Sequence, residues 1–445
     1  MRIIAEHRNL TLGWKVILLL LHLLALILAI LLALHLRFPA DEIAIHLKKH
    51  YGAFFLFAFF CLPAFYVTGL YEIKKNRNIE NIILCFLWAT AVAVILTIVI
   101  SYSRLMAPGR IVLFLTAFFT ILFGSIFTYF YGKIFLGSTS FFRLAFISED
   151  PLHRELINLV NSNPYSGYAV AQVVKSSELS NLYPENVDGL VLPAGPIQSE
   201  AARALRKSHF NGLEICDPLF LYGELTNQIP VDYLTEQWLF SAALACSLFH
   251  IHKIKRLQDI VVSLVGLLVF LPFFPFLAIA IKLNSRGPVF YKQERVGRNG
   301  KTFFIIKLRT MTNNAEKKNQ AVRAEKNDPR VTMVGKILRR LRIDEFPQLF
   351  NILRGNMSLV GPRPYEQQEL AEELALNIPF YGERLLLQPG LTGWAQIHYP
   401  YTASSPEDSK RKLQYDLYYY KNASPWLDML ILLKTFRTVL TASGQ

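Results

Sequence analysis

At 445 residues, 52% of them hydrophobic, and with a mean hydropathy of +0.29, the chain is too apolar for a wholly soluble protein and too polar for a bundle held entirely in a membrane. Its 47 lysines and arginines against 33 acids leave a net charge of +14, and beside long apolar segments this points to a lipid surface and phosphorylated substrates before nucleic acid. The four cysteines, Cys61, Cys85, Cys216 and Cys246, are scattered and imply neither a disulfide framework nor a zinc site.

Residues 14–36, 51–70, 81–102 and 111–131 are long and apolar enough to cross a hydrocarbon core of about 30 Å as helices. The first is too long for a signal h-region and no small-residue cleavage site follows it, so a retained helix is expected. An even number of spans returns the chain to its starting side. Arg2, Arg8, Lys15, Lys74, Lys75 and Arg77 lie on that side, against Arg37, Lys48, Lys49, Arg104 and Arg110 on the other, and the chain after Phe135, taken together, is net basic. Both termini are therefore expected in the cytoplasm, with residues 1–135 forming a membrane α-helical bundle.

Over 142–234 the pattern changes. Short β-rich runs ("RLAFI", "YAVAQVV", "VDGLVLP", "GLEICD") alternate with helical stretches such as "HRELINLVNS" and "QSEAARALRKSH", the layout of a small parallel α/β sheet and of a Rossmann-like module. Where a dinucleotide-binding fold keeps its glycine fingerprint, the sequence reads "SEDPLH" with no glycine. Bound NAD is not expected; a structural or regulatory role is, dimerisation to a homodimer included.

The next apolar segment, 260–281, carries Pro272 and Pro275 in its middle, and each removes a helical hydrogen bond. Lys253, Lys255 and Arg256 precede it and Lys282, Arg286, Lys292, Arg295 and Arg298 follow, and two basic flanks favour the same membrane face. A re-entrant hairpin over about 256–283, bent at Pro272, satisfies both facts; a kinked full span is the alternative. The remainder of 250–445 reads as a mixed, mainly α domain. It includes amphipathic helices over 345–353 and 424–440, the second fit either for a membrane interface or for packing into its own domain.

Within this domain, "RIDEFPQLFN" (342–351) sets two acids beside arginines. Pro347 fits the first turn of a helix and so places the helix start at or just before Asp344. Asp344 and Glu345 would then sit at an anion-favouring N-terminus, with Lys336, Arg339, Arg340 and Arg342 upstream to neutralise charge. Two readings stand: an N-cap with a dipole-compensating Glu, or phosphate chemistry. A carboxylate can attack a phosphoryl group, and one or two carboxylates with phosphate oxygens hold Mg²⁺. "GPRP" (361–364) stiffens the backbone around Arg363, whose planar fork suits bidentate phosphate binding, although such a motif is also an ordinary surface turn.

In "YKQERVGRNGKTFFIIKLRTM", "GRNG" reads as a hairpin turn and "TFFIIKLRT" as a strand with Lys307 and Arg309 on one face, either solvated or facing lipid headgroups or a diphosphate. "DPR" (328–330) reads as a turn with Asp328 and Arg330 side by side. "PGLTGWAQ" (389–396) reads as a glycine-punctuated loop whose Trp394 packs, stacks on a base or anchors at the interface.

Taken in order after a proline-broken membrane segment, "KLRTM", "DPR", "IDEFPQLFNILRGNMSLVGPRP", "PGLTGWAQI" and "YDLYYYKN" resemble the bacterial monotopic polyprenyl-phosphate phosphoglycosyl transferases over roughly 254–440. The four helices and the glycine-poor module resemble the large subgroup that begins exopolysaccharide or O-antigen repeat units. The resemblance implies an enzyme of the bacterial inner membrane with its catalytic domain on the cytoplasmic face. Asp344 would attack the phosphate next to the sugar of a UDP-sugar, releasing UMP, and undecaprenyl phosphate would then accept the sugar-phosphate. It further implies Mg²⁺ held by Glu345 with Asp344, phosphate contacts from Arg363, Lys307, Arg309, Arg330, Arg342 and Gln396, and a UDP-hexose donor, glucose or galactose. The family breaks its re-entrant helix at Ser-Pro, where this chain has Leu271-Pro272.

Two rivals differ in class. A membrane-anchored NAD-dependent nucleotide-sugar dehydratase or epimerase also joins four helices to a Rossmann domain, but requires the glycine fingerprint that "SEDPLH" lacks. A non-catalytic membrane scaffold for polysaccharide assembly would leave Asp344 dispensable.

Overall fold

The computed structural model describes residues 2–71, 79–103, 109–137, 142–163, 166–175, 186–193, 213–246, 249–312, 328–364, 368–399 and 405–440. It divides into two compact units, Met1–Pro218 and Leu219–Gln445. The expected helix "QSEAARALRKSH" and the loop cations Lys74, Lys75, Arg77 and Arg104 lie outside the described residues.

The first unit begins with four helices, α1 (Arg2–Arg37), α2 (Ile43–Val67), α3 (Ile79–Ser103) and α4 (Arg110–Gly137). They contain apolar stretches of 22, 25, 20 and 25 residues, each long enough to cross a membrane. Large apolar side chains such as Trp88, Val99 and Phe114 face outward, so the helices are apolar on more than the side they bury. One polar tie runs through the bundle: His22 Nε2 lies 2.9 Å from Thr128 Oγ1 and its Nδ1 3.3 Å from the Tyr71 hydroxyl.

An α/β region follows, with β1 (Phe142–Ile147), α5 (Pro151–Ser162), β2 (Tyr168–Val174), β3 (Gly189–Val191) and β4 (Glu214–Cys216). The strands form a parallel sheet of order β2-β1-β3-β4, and each comes from one of the four β-rich runs. Asp150 caps α5 by accepting from the Leu152 N–H, and Pro151 takes the first helical turn. Buried His153 then bridges strand ends: its Nδ1 accepts from the Ile147 N–H and its Nε2 donates to the Leu192 carbonyl, both at 2.8 Å.

The second unit contains α6 (Pro218–Thr226), α7 (Glu236–Cys246), α8 (Phe249–Phe270), α9 (Phe274–Asn284), β5 (Phe290–Val296), β6 (Thr302–Leu308), α10 (Met333–Arg340), α11 (Gln348–Arg354), β7 (Ser358–Val360), α12 (Gln368–Asn377), β8 (Gly390–Thr392), α13 (Trp394–His398), α14 (Pro406–Asn422) and α15 (Pro425–Leu440). Residues 219–234, grouped by sequence with the middle module, pack within this unit. The Ile229 N–H donates to the Gln414 carbonyl, and Lys410 pairs with Asp232 at 2.6 Å.

Helices α8 and α9 meet at a 64° bend across Leu271-Pro272-Phe273, the break expected at Pro272, and Pro275 sits in the first turn of α9. The pair shares a core with the rest of the unit: Leu267, Phe270 and Ile281 cluster with Leu349, Ile352 and Trp394, and Phe270 stacks on Phe346 at 5.3 Å. Its outer side stays apolar and exposed, Leu268 by 73% and Phe276 by 72%. At the base of α8, Lys255 Nζ donates to Asp428 (2.7 Å) and to the Val360 carbonyl (2.9 Å), while Arg256 donates to the Ile352 and Leu353 carbonyls at the end of α11. Asp428 and fully buried Ile431 also draw α15 into its own domain, although Trp426 remains exposed.

The loops "GPRP" and "PGLTGWAQ" are joined backbone to backbone. Strands β7 and β8 pair in parallel, the Gly361 N–H donates to the Thr392 carbonyl (2.9 Å) and the Gly390 N–H to the Pro362 carbonyl (2.8 Å). A Cβ on Gly390 would lie 2.1 Å from Gly361 N, and one on Gly361 2.2 Å from the Gln388 carbonyl oxygen. Neither obstacle is a side chain that could swing away. Gly390→Ala is therefore expected to destabilise the protein at or above the upper end of the roughly 1–3 kcal/mol of overpacking. Gly382→Ala, whose Cβ meets nothing within 4 Å, should leave the melting temperature unchanged; thermal unfolding of both in detergent compares them.

Candidate active site

The β5–β6 hairpin turns through Asn299 and Gly300, both at positive φ, as the "GRNG" run anticipates. Its register places Tyr291 opposite Lys307, Gln293 opposite Ile305 and Arg295 opposite Phe303, so these six share a face. Facing them, α11 is fastened to β6 by buried Asn351. Its Oδ1 accepts from the Ile306 N–H (3.2 Å) and its Nδ2 donates to the Phe304 carbonyl (2.7 Å), in the manner of a neighbouring strand.

That fastening sets the height of the Asp-Glu pair, but not as a helix start. Helix α11 begins at Gln348 with Pro347 as its N-cap. Ile343–Glu345 is a separate 3₁₀ turn entered through Arg342 in the left-handed conformation at φ 53°. The acids precede the helix because this reversal after α10 uses up the residues that would have formed its first turn. Their charge is answered chiefly by side chains, with the Asp344 backbone N–H adding a smaller pull on its own carboxylate.

Glu345 Oε1 lies 3.7 Å from Lys307 Nζ, and Oε2 lies 3.7 Å from Arg342 Nη1. Burial opposes the charge on Glu345, but Lys307, then Arg342 and Arg363, outweigh it and hold the carboxylate below its usual range. Asp344 is more enclosed, 9% exposed. Burial, and then the adjacent Glu345 charge, push it up to about 6 against the pull of Lys307 and Arg339. Arg339 is itself aimed by its Nε–H donation to Thr310 Oγ1 at 2.8 Å. Lys307 is depressed by burial, while Glu345 pulls the other way.

An open cleft of about 280 Å³ adjoins the pair, lined by Lys307, Glu345, Gln348, Arg363, Gln396 and Arg295, among others. The backbone of Arg363 is held by a buried ion pair. Arg384 Nη2 lies 2.9 Å from Asp416 Oδ2 and also donates to the Arg363 carbonyl at 3.3 Å. Burial drives Asp416 up to about 6 even with Arg384 opposing it.

Of the residues expected at the site, Lys307, Glu345, Arg363 and Gln396 come together in the cleft, Asp344 is buried beside it, and Arg342 pairs with Glu345. Two others are engaged elsewhere. Arg309 lies just past the end of β6, where strand alternation stops, and donates to the Ser285 (2.6 Å) and Arg286 (3.2 Å) carbonyls after α9. Arg330 is folded onto Asp328 within its own turn at 2.6 Å, holding that carboxyl down to about 2. Upstream, Lys336 and Arg340 face solvent. Trp394 is buried, donates Nε1–H to the Asn227 carbonyl (3.0 Å) and stacks on Tyr418.

Sequence reasoning overlooked Arg295, Gln348, Asn351 and the Arg384–Asp416 pair. Gln348 and Asn351 did leave a signal, two amides three residues apart on one face of an otherwise apolar helix. The two arginines left none.

The environment of Asp344 has a measurable consequence. Its raised folded pKa contributes stability that is fully present below the unfolded value of 3.8 and is lost as pH rises through about 6. Above that pH the buried charge is a cost that Asp344→Asn removes. The variant should melt above the parent at pH 7.5, with the gap closing as pH falls through 6; a gap independent of pH would contradict this electrostatic picture.

Comparison with known proteins bears on the same region. Residues 250–442 match the family model described as bacterial sugar transferase. A protein of Aeromonas hydrophila named UDP-N-acetylgalactosamine-undecaprenyl-phosphate N-acetylgalactosaminephosphotransferase is 44% identical over 220 residues, 49% of this chain and 51% of that one. A UDP-glucose:undecaprenyl-phosphate glucose-1-phosphate transferase of Xanthomonas campestris pv. campestris is 39% identical over 188 residues, 42% of this chain and 38% of that one. The chain thus spans about half or less of the length of these two relatives. The exopolysaccharide production protein PSS of Rhizobium leguminosarum bv. phaseoli is 41% identical over 194 residues, 42% of this chain but 96% of its own length. With almost all of that relative covered at this identity, the chain belongs to the bacterial sugar transferase family.

Proposed function

We propose that this protein transfers a sugar 1-phosphate from a UDP-sugar to undecaprenyl phosphate, giving undecaprenyl-diphosphate-sugar and UMP, as the first membrane step of exopolysaccharide or O-antigen synthesis. The observation that carries this reading is a buried Asp344 beside a cation-lined cleft, in a domain whose core is shared with a bent, outwardly apolar helix pair. Relatives named as undecaprenyl-phosphate sugar phosphotransferases support it.

In the first step a carboxylate oxygen of Asp344 attacks the phosphorus next to the sugar. The bond from that phosphorus to the bridging oxygen breaks, and UMP departs with the oxygen. In the second, an oxygen of undecaprenyl phosphate attacks the same phosphorus, the aspartyl–phosphorus bond breaks, and the Asp344 carboxylate is restored. Lys307 and Arg363 neutralise the donor diphosphate, Gln396 hydrogen-bonds to it, and Arg342 shares the charge of Glu345. Arg309 and Arg330 keep structural roles in this scheme.

Mg²⁺ fits the donor set: two adjacent carboxylates, with phosphate oxygens from the substrate, are how this ion is commonly held. Glu345, with Asp344, would hold it, and it would offset phosphate charge. The α8–α9 pair is read as a re-entrant hairpin, since both basic flanks then stay at the cytoplasmic face of the inner membrane. Exposed Met333 and Ile337 on α10 add apolar surface close to the acids and suit a lipid acceptor. The parallel sheet is read as a Rossmann-like module in which His153 spans the strand ends where a dinucleotide would bind. A regulatory or dimerising role suits it better than NAD binding.

Purified protein incubated with Mg²⁺, undecaprenyl phosphate and UDP-glucose, UDP-galactose or UDP-N-acetylgalactosamine should release UMP with one of them. Asp344→Asn should lower the rate by 10³-fold or more, on the order of losing a covalent nucleophile, and chelation of the metal should abolish it. Activity should also fall as pH drops below about 6, where Asp344 takes up a proton. Folded protein that releases no UMP from any donor, or an Asp344→Asn variant with full activity, would overturn the proposal, the latter in favour of a scaffold.

A further inference from the structure

A second hollow, open and of about 200 Å³, shares two wall residues, Arg363 and Pro364, with the cation-lined cleft. Most of its remaining wall is apolar: Val296 at the end of β5, Pro362, Leu385, Leu387 and Pro389. Among the described residues it takes nothing from β6, the Ile343–Glu345 turn or α11, which carry Lys307, the acids and Gln348. The two spaces therefore adjoin across Arg363, one facing the acids and the other turned away from them.

The walls of this hollow are set before any ligand arrives. Three are prolines, whose rings lose no side-chain freedom when covered. The Pro389 carbonyl accepts from the Ser358 N–H (2.9 Å) and the Pro362 carbonyl from the Gly390 N–H (2.8 Å), so the pairing of β7 with β8 fixes two of them against each other. Arg384, also at the wall, is paired with Asp416 and donates to the Arg363 carbonyl. A rigid apolar wall beside a cation-lined cleft suits a ligand with a flat, weakly polar end joined to an anion, as a nucleotide has.

The stereochemistry of transfer decides which end of the donor goes there. Attacking and leaving oxygens lie roughly in line across the phosphorus, so UMP departs on the side opposite Asp344, while the sugar, on an equatorial oxygen, stays with the cleft. We propose that the hollow is the nucleoside subsite of the donor: its uracil lies against Leu385 and the prolines while the phosphates remain with Arg363. The choice of nucleotide and of its direction rests on the transferase reading. In the second step the acceptor oxygen arrives where the bridging oxygen left, but a polyprenyl phosphate carries no base, so the hollow serves the donor alone.

The test uses the full-length protein in detergent with Mg²⁺, beside Leu385→Asn and Leu385→Met, a half-buried position in the wall. Calorimetry measures binding of UMP and of ribose 5-phosphate, which keeps the phosphate and the ribose but lacks the base. The parent should prefer UMP by about tenfold or more, the scale of covering one face of a base. Leu385→Asn should weaken UMP about three- to thirtyfold, the scale of one partly buried apolar side chain, and leave ribose 5-phosphate within about twofold. Leu385→Met should keep most of the preference. Irradiation of the parent with bound 4-thio-UMP should label peptides carrying residues 362–364 or 384–389.

Equal affinity of the parent for UMP and ribose 5-phosphate would overturn the subsite. So would an equal loss of both ligands in Leu385→Asn, which marks a structural leucine, or a label confined to Lys307, Gln348 or Gln396 in the cleft. A parent that transfers sugar but labels only in the cleft keeps the transferase reading and loses this one. A parent that releases no UMP from any donor, yet prefers UMP and labels beside Leu385, does the reverse.

Discussion

Two adjacent carboxylates can be withdrawn from water only if cations accompany them, and the second unit of this protein is arranged around that requirement. Lys307 reaches Glu345 from a strand and Arg342 reaches it from a left-handed turn. Once Glu345 is held ionised, its charge and the surrounding burial act together on Asp344 and raise it to about 6. One acid is thereby fixed as an anion, while its neighbour is poised close to neutrality as a less solvated carboxylate. The hairpin, the Asn351 clasp and the Arg384–Asp416 pair all bring charge to this place or hold the backbone that does.

The same unit ties this chemistry to an apolar surface. Lys255 and Arg256 at the base of α8 bind carbonyls of β7 and α11, so the bent helix pair is tied to the elements that flank the acids and the cleft. In the proposed transfer, a phosphate on a polyprenyl chain would meet Asp344 at a fixed depth. A helix pair packed into the catalytic core through Phe270 and Phe346 offers such a fixed depth in a way that a flexible tether would not.

Much of this was legible in the sequence because it is written locally. Hydropathy gave the four long helices, β-rich runs gave each strand of the parallel sheet among the described residues, and Pro272 marked the bend. Lys307 and Arg363, which line the cleft, lie in motifs whose strand alternation or stiffness already limits where a side chain can point, whereas Gln396 was reached only through the family resemblance. The failures share a cause. The start of α11 was misplaced because a permissive Pro347 cannot reveal that Arg342 reverses the chain before it. Arg309 and Arg330 looked like phosphate ligands, but their partners are carbonyls 23 and 24 residues away in one case and the adjoining Asp328 in the other. Asn351 and Arg384 acquire their roles only from segments 45 and 32 residues distant, and no periodicity carries that information.

The central claim is that buried Asp344 forms a bond to phosphorus, and intact-mass spectrometry of the quenched protein tests it most directly. Mixed with Mg²⁺ and the preferred UDP-sugar but no lipid acceptor, the protein should gain the mass of one sugar-phosphate on the peptide containing Asp344. Undecaprenyl phosphate should discharge the adduct, and Asp344→Asn should never form it. Sustained UMP release with acceptor present, and no adduct at any time without it, would contradict the account and indicate direct transfer between the two substrates.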